Sequence, residues 1–153
     1  MNDARLKLEN FLPYRLSVLS NRVSASIAEA YSRRFGLGIP EWRVIAVLAL
    51  HPGASAAEVA ERTAMDKVAV SRAVRRLQQT GRIQRETAAG DRRRSVLELT
   101  AEGEQIYRSI MPALQRYEAE LLGALNPGER RKLDALLRRL EQRAVELAPP
   151  RID

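Results

Sequence analysis

Apolar residues recur at helical spacing along most of this chain. Leu12, Leu16, Leu19, Val23, Ile27, Ala30 and Tyr31 predict a helix over residues 13–35, opened by Pro13. Gly36 and Gly38 are expected to stop it by supplying positive φ. Ile39-Pro40-Glu41-Trp42 opens a second helix, and Trp42, Val44, Ile45, Val47, Leu48 and Leu50 make it apolar nearly all round, as suits a buried helix. His51-Pro52-Gly53 ends it. Ser55-Ala56-Ala57-Glu58 has the form of a capping box and predicts a two-turn helix over 56–62. Thr63-Ala64-Met65 then makes a turn, and Asp66 suits the N-cap of the next helix. In that helix Val70, Val74 and Leu77 form a single inward stripe.

The period changes beyond Gly81. Segments 83–87 and 95–99 carry β-favouring Ile83, Val96, Leu97 and Leu99, and Ala88-Ala89-Gly90-Asp91 between them is turn chemistry. Thr100 caps a long helix expected over 101–125. Pro112 should kink it near Ser109–Pro112 without stopping it, because Leu114, Tyr117, Leu121, Leu122 and Leu125 continue the period. Asn126-Pro127-Gly128-Glu129 is a second capping box. Leu133, Leu136, Leu137, Leu140 and Ala144 stripe the last helix, which Ala148-Pro149-Pro150 ends. The fold class is mainly α with a small β-hairpin wing: a winged helix-turn-helix of about six helices.

Composition adds a partner. The 153 residues are 45% hydrophobic and 29% charged, an ordinary globular balance in a one-domain length. The net charge is +7 and the pI about 10.5. Within 66–94 stand nine basic residues (Lys67, Arg72, Arg75, Arg76, Arg82, Arg85, Arg92, Arg93 and Arg94) against Asp66, Glu86 and Asp91, which places +6 of that charge in one stretch. Such concentration favours nucleic acid. The chain has no cysteine, which excludes disulfides, zinc–thiolate sites and thiol sensing. Its single histidine, His51, suits a helix end or the surface and allows neither a histidine metal cluster nor a Ser/His triad. No catalytic or metal-binding residues are assigned, no cofactor is expected, and an enzyme is disfavoured. No apolar run approaches a membrane span and the N-terminus lacks a signal-peptide core, so the expected location is cytoplasmic.

The basic helix predicts how DNA is read. With Val70, Val74 and Leu77 inward, its other side presents Lys67, Val68, Ser71, Arg72, Arg75 and Arg76. In a major groove its N-terminal half would meet base edges. Arg72 suits guanine O6 and N7, Ser71 a base or a phosphate, and Val68 a thymine methyl. Arg92, Arg93 and Arg94 at the hairpin tip repel one another and need water or phosphate. A minor groove suits them, with Asp91 holding one by an ion pair. Residues 1–35 and 101–153 form a helical dimerisation region flanking a DNA-binding lobe at 36–100. Their leucine stripes suit an interface between two copies, placing recognition helices one duplex turn, ~34 Å, apart.

The run D-K-V-A-V-S-R-A-V-R-R-L (66–77), then Gly81, then D-R-R-R-S-V-L-E-L-T-A-E-G (91–103), resembles the MarR (multiple antibiotic resistance regulator) family of winged helix-turn-helix transcription factors. The wing's Asp-x-Arg followed by Leu-Thr-x-x-Gly carries most of that resemblance, which covers nearly the whole chain. It implies an intertwined, triangular homodimer whose recognition helices enter major grooves and whose wings enter minor grooves. Arg93 would insert and Asp91 brace it. It implies a repressor on a pseudo-palindromic operator, released by a small aromatic or phenolic acid bound between the dimerisation helices and the DNA-binding lobe. For such a carboxylate effector, the pocket residues would be Tyr14, Arg15, Ser17, Asn21, Trp42 and Arg43. Trp42 equally suits a core anchor, and the arginines equally suit surface ion pairs. The cysteine of the family's redox-sensing branch is absent, which leaves ligand sensing or ligand-independent repression. An architectural DNA-binding protein with little sequence preference has the same charge pattern and is the alternative.

Overall fold

The computed structural model describes residues 6–87, 89–90 and 94–152. After a 3-10 turn at Leu8–Asn10, the described residues form α1 (Leu12–Phe35), α2 (Ile39–Leu50), α3 (Ala56–Thr63), α4 (Lys67–Gln79), β1 (Ile83–Thr87), β2 (Ser95–Leu99), α5 (Ala101–Leu122) and α6 (Pro127–Glu146). Packing divides the chain into two units, Met1–Leu114 and Gln115–Asp153. No helix among the described residues is long and apolar enough to cross a membrane.

The core of the first unit contains the expected inward stripe of α4 and most of the apolar α2, and adds Val59, Ile106 and Ile110, which the sequence pattern did not single out. Val44, Ile45 and Leu48 of α2 pack with Val59 of α3, Val70, Val74 and Leu77 of α4, Leu97 of β2 and Ile106 and Ile110 of α5. Leu50, in contrast, is 69% exposed, so α2 is buried along one side and across its centre but not at its last residue. The two strands pair antiparallel from Ile83↔Leu99 to Thr87↔Ser95. Only Ile83 of β1 and Leu97 of β2 are fully buried, which explains the weak alternation in these segments. Backbone bonds Gly53 N–H to Leu97 O (3.0 Å) and Leu97 N–H to Ala54 O (2.9 Å) pin the hairpin to the segment entering α3.

Two expected boundaries need correction. Gly36 does take the left-handed conformation, φ 64°, at the end of α1, but Gly38 has φ −85° and serves as the N-cap of α2. Helix α5 runs through Pro112 as expected yet stops at Leu122, not at 125. The next residues tighten into turns, Gly123 N–H to Glu120 O at 3.1 Å and Leu125 N–H to Leu122 O at 3.0 Å. These deliver Asn126 in an extended conformation to cap α6, where the box with Glu129 is complete.

The Leu-Thr-x-x-Gly run is a packing joint. Thr100 Oγ1 donates to Gly81 O at 2.6 Å and accepts from Gly103 N–H at 3.2 Å, while Thr100 N–H donates to Arg82 O at 3.1 Å. Gly103 lets α5 start directly against the Arg82 carbonyl, with no space there for a Cβ. Arg82 itself turns inward: its side chain is 16% exposed and Nη2 donates to Phe35 O at 2.6 Å. It belongs to the scaffold, although it adds to the basic count of its stretch.

Candidate nucleic-acid interface

The surface formed by α3, α4 and the hairpin begins at Ser55. Its Oγ accepts from Glu58 N–H at 3.2 Å, and Glu58 Oε2 accepts from Ser55 N–H at 2.7 Å, so the capping box is closed on both sides. Helix α3 ends at Ala64, whose φ of 52° is the one left-handed non-glycine conformation among the described residues. Met65 N–H reaches back to Ala60 O at 3.2 Å, and Thr63 Oγ1 donates to Val59 O at 2.7 Å. That tight reversal hands the chain to Asp66, which caps α4 by accepting from Ala69 N–H at 3.3 Å.

Helix α4 has two chemically distinct sides. Val70, Ala73, Val74 and Leu77 are buried. Lys67, Val68, Ser71, Arg72, Arg75 and Arg76 are all exposed, with Val68 at 56%. A charged, solvated face set on a rigidly packed helix can lie in a groove of about helix width. One member has a partner inside the fold: Arg76 Nη1 stands 3.3 Å from Glu41 Oε1. Glu41 is buried, and the sequence pattern did not single it out.

The hairpin places its tip after Thr87. Asp91, Arg92 and Arg93 lie outside the described residues. Arg94 is described, and its Nη2 meets Glu58 Oε1 at 2.9 Å. Glu58 was also missed from sequence, where it reads only as half of a cap. Its carboxyl lies below the usual carboxylate range, chiefly through the hydrogen bond from the Ser55 backbone, with the Ser55 hydroxyl and Arg94 contributing less. Across the strands Arg85 Nη1 donates to Ser95 Oγ at 2.9 Å.

Of the six residues expected around an effector, Tyr14 and Arg15 share a groove among the described residues whose lining does not include Ser17, Asn21, Trp42 or Arg43. Tyr14 and Arg15 line an open groove of about 480 Å³ along the first half of α1, together with Leu12, Leu16 and Leu19. Ser17 and Asn21 are exposed. Trp42 is 8% exposed and stacked between Tyr31, at 5.7 Å between ring centroids, and Tyr107, at 5.9 Å. Its burial matches the core-anchor role, since offset aromatic pairs add about 0.5–1.5 kcal/mol each beyond area burial. Burial pushes the Tyr31 phenol above its usual value; the Arg43 charge opposes that shift and Glu41 adds to it.

Comparison with known proteins decides the family. The MarR family model matches residues 35–94. The transcriptional regulator HosA of Escherichia coli O157:H7 is 30% identical over 101 residues, covering 66% of this chain and 75% of HosA. The chain belongs to the MarR family. A MarR/EmrR family transcriptional regulator from Acinetobacter sp. ADP1 has the same fold, with a TM-score of 0.85 at 26% identity over 93% of this chain and all of that one. The MepR–DNA complex of S. aureus matches with a TM-score of 0.78 at 19% identity, over 89% of this chain and 98% of MepR. BpsR of Bordetella bronchiseptica, whose DNA binding is regulated by 6-hydroxynicotinic acid, matches with a TM-score of 0.78 at 22% identity, over 90% of this chain and 98% of BpsR. The two latter likenesses concern the fold. MarR-family regulators are DNA-binding transcription factors, and this chain is a winged helix-turn-helix regulator of that family.

Proposed function

We propose that this MarR-family chain is a dimeric repressor that reads a pseudo-palindromic operator in double-stranded DNA and is released by a small aromatic or phenolic acid. The observation that carries the reading is α4, whose buried Val70, Val74 and Leu77 fix its orientation while Lys67, Val68, Ser71, Arg72, Arg75 and Arg76 stay exposed. Residues 36–100 are the reading lobe; 1–35 and 101–153 pair it with a second copy. Helix α4 enters the major groove, where Arg72 and Ser71 meet base edges. The wing, with Arg92, Arg93 and Arg94 and the bracing Asp91, follows the adjacent minor groove. Helices α1 and α6 carry exposed Leu12, Leu16, Leu19, Leu133, Leu136, Leu137 and Leu140, apolar surface suited to a second copy. The protein works on DNA in the cytoplasm.

The effector part of the proposal is supported by BpsR and its 6-hydroxynicotinic acid, and by the groove beside Tyr14 and Arg15, where apolar walls and a guanidinium together suit an aromatic carboxylate. A ligand relieves repression only if it binds the two arrangements of the dimer with different affinity. The test is a titration of labelled duplexes, one from the chain's own promoter and several unrelated, across a salt series and with a panel of hydroxylated aromatic acids. The expected result is a palindromic footprint, affinity falling with a log–log slope of about −0.9 per phosphate neutralised, and release by one class of acid. Equal affinity for all duplexes would make the protein architectural.

A further inference from the structure

Glu41 is a carboxylate only 6% exposed, in the first turn of α2. Burying such a charge is costly unless a partner meets it. The start of α2 answers part of that cost, because helix N-termini carry positive potential. Oε2 folds back over Gly38 so closely that a Cβ there would lie 2.6 Å from it. Oε1 points the other way, to Arg76 Nη1 at 3.3 Å. One carboxylate thus joins the start of α2 to the outer edge of α4. The Arg76 side chain is 66% exposed, so its guanidinium stays open to solvent. Arg72, one helical turn earlier, lines with Arg76 and Glu41 the same cavity of about 270 Å³.

We propose that Glu41 is a positioning residue for DNA binding: it grips one edge of the Arg76 guanidinium so that the rest of the fork is presented to a backbone phosphate. The inference rests on α4 being the recognition helix. A guanidinium has five donors in a rigid plane, so a single contact to Glu41 leaves donors free for phosphate oxygens. A free arginine loses most of its rotamer freedom on docking, and one already tethered to a buried, immobile group loses less. Arg76 sits in the C-terminal half of α4, away from the half that faces base edges, so its contact positions the protein and does not specify sequence. Glu41 also carries a charge that repels phosphate. The ordering of Arg76 must outweigh that repulsion, and the sign of the Glu41→Gln effect decides it.

The test is a double-mutant cycle of Glu41→Gln and Arg76→Ala, with Arg72→Ala alongside, measuring duplex affinity over a salt series. Arg76→Ala is expected to weaken binding and reduce the magnitude of the log–log salt slope by about 0.9, one phosphate. Glu41→Gln is expected to weaken binding about two- to tenfold, the cost of ordering one long side chain, with the wild-type slope. In the Arg76→Ala background it should do nothing further. An equal loss in both backgrounds marks a general structural role and overturns the proposal, as does tighter binding by Glu41→Gln. Should Glu41→Gln unfold, Glu41→Met, apolar and of similar length, goes through the same cycle. If Arg76→Ala weakens binding and neither Glu41 variant does, the tether alone is wrong. If Arg72→Ala and Arg76→Ala both leave affinity intact, the recognition-helix reading fails and the tether fails with it.

Discussion

Arg94, at the foot of β2, places its guanidinium 2.9 Å from the carboxylate of Glu58 in the first turn of α3. The same carboxylate caps that helix by accepting from Ser55 N–H at 2.7 Å. Both side chains are about half exposed, 54% and 42%, and an exposed pair of this kind contributes little to stability. Its consequence is geometric. Residues 36 apart are joined, so the tip end of the hairpin, beside the Thr87↔Ser95 pair, is tied to the helix-turn-helix at the point where α3 begins.

Glu58 makes that joint pH-dependent. Its folded-state pKa lies below the usual 4.5, first through the Ser55 backbone and only in smaller part through Arg94. A lowered carboxyl contributes stability that is complete above the unfolded value and fades as the pH falls through the folded one. Between pH 7 and pH 5 the contribution should therefore be flat, and it should decline below about 4.5. Thermal unfolding of wild type and Glu58→Gln over pH 3–7 checks this. The Tm difference between them should shrink as the pH drops, and a constant difference would remove Glu58 from the acid response.

Gly103→Ala tests the joint between α4 and α5. A methyl group there collides with the Arg82 carbonyl and crowds Leu99 Cδ2 at 3.3 Å. Neither the backbone of Arg82, held by Thr100 N–H at 3.1 Å and bonded to Leu77 O at 2.9 Å, nor α5 can move without breaking these bonds. Overpacking of this sort costs about 1–3 kcal/mol. Chemical denaturation should show that loss, whereas Ala101→Ser on the exposed side of the same turn should change little.

How far the sequence could be read depends on whether a position is decided locally. The strand limits at 83–87 and 95–99, the two capping boxes and the inward stripe of α4 follow from residue type and spacing, and the structure has them. The end of α5 was misplaced by three residues because Leu125 keeps the apolar period after the helical hydrogen bonds have tightened into turns. Glu41 and Arg82 were illegible for another reason. A glutamate in a first turn and an arginine in a basic stretch both read as solvated, and only tertiary packing brings Arg76 to the one and the Phe35 carbonyl to the other. Trp42 likewise became a core anchor through Tyr31 and Tyr107, which are distant in sequence.

Arg72→Ala separates base reading from simple charge attraction. Arg72 is exposed in the N-terminal half of α4, which on the proposed reading meets base edges and lets it bond guanine bidentately. Its loss should weaken binding to the operator by about 1–3 kcal/mol and relax preference at one base-pair position. Selection from a randomised operator library, compared with wild type, shows which position is relaxed. A uniform loss on every sequence would place Arg72 on a phosphate.

Helix α6 has no buried residue in the single chain, although Leu133, Leu136, Leu137 and Leu140 lie along one stripe. Leu136 and Leu140, at 43% and 46% exposed, line an open groove of about 560 Å³ with Arg139 and Arg143. Full burial of one leucine is worth about 1.5–3 kcal/mol, so a stripe of four is a strong incentive to associate. Leu136→Glu with Leu140→Glu keeps helix propensity, because glutamate is a good helix former, and places two charges in the stripe. Sedimentation should show the wild type as a dimer and the double variant as a monomer, with helical circular dichroism retained. Operator affinity should fall sharply in the monomer, because half-sites one duplex turn apart are then no longer held by a single particle. A variant that stays dimeric would show that the α6 stripe is not the seam between copies.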